Sequence, residues 1–171
     1  MLSTFLSYDL VNRDFKSQLE RVGSSNQVAR EEAYYKENIG KVTSVEEFLD
    51  DYRLYSYAMK AHGLEDMTYA KAFMKKVLES DLTDTGSFAN LLTDDRYKNF
   101  AAAFRFTSDT ATIQTTGQTE DVIDNFKAMR QGEIDKVATE TAYFEANIGS
   151  VTSVDDLLLN ERMRNFVLEA F

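Results

Sequence analysis

Cysteine, proline and tryptophan are absent from this 171-residue chain, and histidine occurs once, as His62. Without cysteine there is no disulfide, no thiolate nucleophile, no cysteine-bound zinc and no iron–sulfur cluster. Average usage would supply about eight prolines in this length, so their absence favours helices. Positive charge is scarce: 19 Lys and Arg stand against 29 Asp and Glu, a net charge of −10. A surface that tracks nucleic-acid phosphates needs the opposite balance, so no nucleic-acid partner is expected. Apolar runs are short as well. None approaches the ~20 residues of a membrane helix, and the opening MLSTFLSYDL lacks the basic stretch of a secretory signal. No membrane insertion is expected. The chain is read as cytoplasmic, or as exported without a cleavable signal peptide.

What is present points to helices. Hydrophobic residues make up 43% of the chain, enough for a core, and seven glycines separate stretches in which apolar residues recur at helical spacing. The pattern predicts about eight helices. The first covers residues 3–21, with Phe5, Leu6, Leu10, Val11, Phe15 and Leu19 as its stripe. A second runs from about Asn26 to Asn38, with Gly40 as a left-handed stop. Ser44, with Glu47 three residues on, predicts a capping box. A helix from about Asp66 to Glu79 carries Met67, Ala70, Phe73, Met74 and Val77 on one face and lysines on another. Residues 107–119, rich in Thr, Ser, Asp and Gly, predict a linker. A long helix follows from about Glu120 to Asn147, with Gly132 as a candidate bend.

Self-similarity is the strongest signal. The stretch from Val28 to Leu49, VAREEAYYKENIGKVTSVEEFL, matches that from Val137 to Leu158, VATETAYFEANIGSVTSVDDLL, with 13 of 22 positions identical at a constant offset of 109. A shorter unit recurs three times around Arg53, Arg96 and Arg162. Each arginine follows by two residues a good N-cap, Asp51, Asp94 or Asn160, and precedes an apolar face at helical spacing. The arginine stem is expected to cover apolar surface while its guanidinium pairs with an acid such as Glu47 or Asp156. An anion site is the weaker alternative. The repeated Asn-Ile-Gly at residues 38–40 and 147–149 reads as a helix end with a glycine free to take positive φ.

Chemistry-bearing constellations are thin. Asp81, Thr83, Asp84, Thr85 and Gly86 imitate the start of a calcium loop, but Leu92 stands where the bidentate glutamate belongs. His62 reads as a cation at a helix C-terminus rather than a catalytic base. Asp50-Asp51, Asp94-Asp95 and Asp155-Asp156 read as solvated or capping residues, because helix neighbours point in different directions. No catalytic, cofactor-binding or metal-ligating residue is assigned, and no cofactor is expected. Among 12 Phe and 9 Tyr, most fall on helical stripes as core; Tyr34, Tyr35, Tyr52 and Tyr55 are the candidate partner surface, because tyrosine tolerates half-burial and anchors interfaces.

Two stretches carry a resemblance. VLESDLTDTGSFANLLTDDRYKNFAAAFRF, residues 77–106, and NIGKVTSVEEFLDDYRLYSYAMKAHGLED, residues 38–66, resemble the alphaproteobacterial domain-of-unknown-function family DUF 1217, as does the stretch from Tyr8 to Tyr35. Through the internal match the resemblance extends to residues 137–171. It implies a helical protein, often encoded near flagellar genes, and brings no catalytic motif.

The expected fold is all-α, a multi-helix bundle with a partial internal duplication. Residues 1–106 form a first unit, 107–119 a linker, and 120–171 a second, incomplete unit packing on the first. The last helix presents Met163, Phe166, Val167 and Ala170, and Phe166 is expected to be buried against the first unit or another subunit. That incompleteness suggests a piece of a longer protein. The function expected is that of a non-enzymatic structural or interaction module, flagellum-associated, with protein partners, a second copy of the chain included. The alternative is a cytoplasmic chaperone-like or regulatory protein that binds an amphipathic partner helix.

Overall fold

The computed structural model describes residues 26–107 and 112–170. The expected first helix lies outside the described residues. Those described form an all-α protein without strands. Its helices are α1 (Asn26–Asn38), α2 (Val45–Asp50), α3 (Tyr52–Ala61), α4 (Lys71–Leu78), α5 (Asp95–Ala102), α6 (Thr116–Ile148), α7 (Val154–Leu159) and α8 (Glu161–Ala170). Short 3-10 turns at Ile39–Lys41, Glu65–Met67 and Ala89–Leu91 join some of them. The chain divides into two compact units, one drawn from Ser24–Arg130 and the other from Gln131–Phe171.

Local chemistry sets the helix starts. Asp51 accepts the amides of Arg53 and Leu54 at 3.1 Å each, Asp94 accepts that of Arg96 at 3.0 Å, and Asn160 accepts that of Met163 at 3.1 Å. These side chains satisfy amides that a helix cannot pair internally. Ser44 and Ser153 accept the amides of Glu47 and Asp156, at 3.1 Å in both cases. At Ser153 the box closes fully, because Asp156 accepts the Ser153 amide at 3.0 Å. Glu47 instead reaches back to the Thr43 amide and hydroxyl, at 2.8 and 2.9 Å. Ser44→Ala and Ser153→Ala should each lower stability by about 1 kcal/mol. Urea denaturation checks this, and unchanged midpoints would mean that neither hydroxyl caps a helix in solution.

Helix ends differ from expectation at two glycines. Gly63 is the described residue with positive φ, at 63°. It ends α3 in a Schellman turn: Leu64 N–H donates to Met59 O at 2.8 Å, Gly63 N–H donates to Lys60 O at 3.0 Å, and both Leu64 and Met59 are fully buried. Gly40 and Gly149 do not take positive φ. Gly40 continues as a 3-10 turn, with Val42 N–H donating to Ile39 O at 3.4 Å.

In the unit from Ser24–Arg130, α2 and α3 pack together and α1 lies along α3. Phe48 of α2 meets Phe104 at 4.7 Å, Phe106 at 5.8 Å and Tyr55 edge-on at 6.0 Å. Tyr57 is stacked between Tyr35 at 4.8 Å and Phe126 at 4.0 Å. Phe126, Val122 and Ile123 lie on the first part of α6, so this unit takes in more chain than the expected boundary at 106. The expected linker is not all linker: Ile113 and Gln114 are buried and α6 starts at Thr116. α6 also runs unbroken through Gly132, where an added Cβ would meet nothing within 4 Å.

In the unit from Gln131–Phe171, the last part of α6 is followed by α7 and α8. Met163 is its one fully buried hydrophobic residue among those described. Phe166 is half-buried and stacks on Phe144 at 4.8 Å, so its cover comes from α6 within its own unit.

Candidate interaction face

The C-terminal unit is held by a clasp between α6 and α8. The Arg162 guanidinium lies 3.9 Å from the Tyr143 ring centroid while its Nε and an Nη donate to Glu140 at 2.8 and 3.0 Å. That bond holds the Glu140 carboxyl below the usual carboxylate range. Arginine suits this place because its planar fork can stack on a ring and pair with a carboxylate together. Asn147 donates to Tyr143 O at 2.7 Å and Asn160 donates to the Tyr143 hydroxyl at 3.4 Å.

The same contacts occur at residue numbers 109 lower. Arg53 lies 3.7 Å from the Tyr34 ring centroid and donates to Glu31 at 3.2 and 3.3 Å. Asn38 donates to Tyr34 O at 2.8 Å, and the Tyr34 hydroxyl donates to Asp51 at 2.8 Å. The acids differ from those expected for these arginines. Glu47 and Asp156 are occupied in helix caps, and each arginine reaches past the short helix before its own to the one preceding that, Glu31 on α1 or Glu140 on α6. Arg96 pairs with Asp94, at 2.7 Å, and donates to Gly63 O.

Burial separates the two stretches. Val45, Phe48 and Leu49 on α2 are buried, whereas Val154 and Leu158 on α7 are 73% and 50% exposed and Leu157 is half-buried. Ile39 is buried and Ile148 is at the edge of exposure. Leu159 and Leu168, at 85% and 72%, extend the apolar surface of α7 and α8. Single exposed leucines are ordinary; three large apolar side chains exposed on the one six-residue helix α7 are more than that, and Leu168 adds a fourth on α8.

The tyrosines expected at a partner surface divide. Tyr52 is 64% exposed. Tyr34 is half-buried beneath Arg53. Tyr35 and Tyr55 are fully buried, which corrects their assignment to a surface. Tyr35 donates to Gln114 at 3.1 Å, and burial pushes the Tyr55 phenol up to about 12. The α7 leucines, absent from the expected surface, do carry a signal in the sequence: LLL at residues 157–159 puts apolar residues on adjacent helical faces, which one buried stripe does not need.

A cleft of about 490 Å³ in the unit from Ser24–Arg130 is lined by His62, Arg96, Asn99, Gln118, Asp121 and Asn125 among others. His62 Nδ1 lies 2.9 Å from Ala58 O, and the ring stands edge-on to Phe100 at 5.2 Å. Burial lowers the His62 pKa despite the helix C-terminus, so it is a neutral imidazole rather than the expected cation. Because the unfolded chain takes up this proton more readily, the contribution of His62 is complete above about pH 6.5 and is lost as pH falls through the lower folded value. Urea midpoints should decline from pH 7 to 5, and His62→Gln should flatten that decline; equal slopes in both proteins would contradict it. The calcium-like loop is a turn: Asp81 accepts the Thr83 amide at 2.9 Å and Asp84 the Gly86 amide at 2.8 Å. Among the described residues no helix is long and apolar enough to cross a membrane.

Comparison with known proteins agrees with the helical architecture. The crystal structure of a protein from Agrobacterium tumefaciens, determined by the Northeast Structural Genomics Consortium, is 39% identical, with a TM-score of 0.62 over 95% of this chain and 73% of that chain. No curated protein matches the chain. A family model described as "Protein of unknown function (DUF1217)" matches residues 61–171, beginning later than the expected resemblance and taking in residues 107–136 as well. With α4 to α8 and their exposed apolar side chains all inside that match, which covers well over half of the sequence, this chain belongs to the DUF1217 family.

Proposed function

We propose that the protein is a non-enzymatic helical interaction module whose binding surface is the apolar face of α7 and α8. One observation carries this reading: Val154 and Leu158 are open to solvent while Val45 and Leu49, 109 residues earlier in a matching sequence and matching local contacts, are buried. A repeated segment supports the view that the second stretch keeps a core-forming sequence for a surface supplied from elsewhere. Burying an apolar face of this kind is worth roughly 25 cal/mol per Å² removed from water. The flagellar setting is part of the proposal and rests on the family resemblance alone.

A photo-crosslinking amino acid placed at Leu158, and at the exposed Thr83 as control, tests the reading in cells that express the protein. Discrete adducts at 158 and not at 83 are expected. Adducts at neither position, or equally at both, would remove α7 as the binding surface.

A further inference from the structure

The unit from Ser24–Arg130 contains a template for what covers such a face. α2 lies against α4, and Met74, Val77 and Leu78 of α4 are fully buried in the same cluster as Val45, Phe48 and Leu49. These three fall at i, i+3 and i+4, one stripe of a helix. Charge fixes the orientation of the pair: Lys75 of α4 donates to Glu46 of α2, and Lys71 stands 4.0 Å from Asp50. α2 is thus an acidic-edged apolar helix covered by a basic amphipathic one.

Among the described residues, α7 repeats the covered partner without the cover. Val154, Leu157 and Leu158 stand at the positions of Val45, Phe48 and Leu49, and exposed Asp155 stands at that of Glu46. Leu159 replaces Asp50, which lengthens the apolar strip and leaves Asp155 as the acid that would meet a lysine. Resting on the interaction-module reading, we infer that α7 docks a lysine-bearing amphipathic helix of a protein partner, with a large apolar residue at i, i+3 and i+4 and a lysine beside the first of them. A second copy of α7 fits less well. Asp155, Asp156, Glu161 and Glu169 are all exposed around the leucines, and two such faces would bring like charges together.

Residues 64–80 of this chain, LEDMTYAKAFMKKVLES, supply the probe. A fluorescein-labelled peptide of that sequence is titrated with the full-length protein and followed by anisotropy. Binding is expected, weakened at least about tenfold by Leu158→Asp or Val154→Asp in the protein and about tenfold by Lys75→Glu in the peptide. Both protein positions are exposed, so loss of fold is not expected, and circular dichroism verifies it. Binding that survives the two α7 variants occurs elsewhere and overturns the inference, as does equal binding of the Lys75→Glu peptide. Sedimentation of the protein alone adds a further arm: a dimer dissolved by Leu158→Asp would make a second copy the occupant. Crosslinks at Leu158 without preference for the lysine peptide would end this inference and leave the interaction reading in place. Neither crosslinks nor peptide binding would end both.

Discussion

Phe48→Ala should lower the unfolding free energy by about 3–5 kcal/mol, and Leu157→Ala by only on the order of 1 kcal/mol. The two positions correspond in the repeated sequence, so the contrast isolates surroundings from local structure. Phe48 is fully buried among four aromatic rings, with Phe104 at 4.7 Å and Phe100 at 6.5 Å, and its truncation leaves a cavity that neighbouring rings are too rigid to fill. Leu157 is half in water already, so removing its isobutyl group gives up less transfer energy and opens no cavity. Urea denaturation of both variants measures the difference. Equal losses would mean that the face of α7 is covered in solution as thoroughly as that of α2, and the proposed surface would no longer be a surface.

The second large effect is expected at Gln114. Its Nε2 donates to Ala103 O at 2.9 Å, and its Oε1 accepts from the Tyr35 hydroxyl at 3.1 Å and the Thr119 hydroxyl at 3.2 Å. Burial holds the Tyr35 phenol well above the usual tyrosine range, so it remains a donor at any ordinary pH. Gln114→Leu strands a buried hydroxyl and a carbonyl, each costing roughly 1–3 kcal/mol, and a total near 2–4 kcal/mol is expected. Tyr35→Phe alone removes one of two donors to the same oxygen and should cost about 1 kcal/mol. In the double variant the stranded hydroxyl is gone, so the sum of the single losses should exceed the double loss by about 1 kcal/mol or more. Strict additivity in this cycle would show that the two side chains do not act on one another.

Features decided within a few residues were legible in advance. The caps at Ser44, Asp51, Asp94 and Asn160 follow from a side-chain oxygen two or three residues before the amide it accepts. Partners set by the fold were not legible in this way. Tyr35 and Tyr52 are both tyrosines on helical stripes; that one meets Gln114, 79 residues on, while the other meets water depends on which helices arrive. The polar composition around Ile113 and Gln114 suggested a linker, because a buried glutamine that satisfies three groups resembles a solvated one in sequence. Arginine pairing is not legible from closeness along the chain: Glu47 and Asp156, six residues before Arg53 and Arg162, are taken by threonine and serine at the helix starts. The open face was hidden by the repeat itself, since equal patterns predict equal burial and only the neighbours differ.

Uneven burial has a kinetic counterpart. Tyr55, Ala58 and Met59 on α3 sit at the centre of a large buried cluster, so their amides can exchange deuterium only when the whole unit opens. α7 and α8 contribute Met163 alone to the fully buried set among the described residues, and a helix with so little to lose can detach and reseat at small free-energy cost. Deuterium uptake should therefore be fast through Val154–Leu159 and slow through Tyr52–Ala61, within one chain whose two clasps are chemically alike. A partner arriving on Leu158 would register first as slowed uptake in α7, with α3 unchanged, so the most labile helix would also be the most sensitive reporter of occupancy.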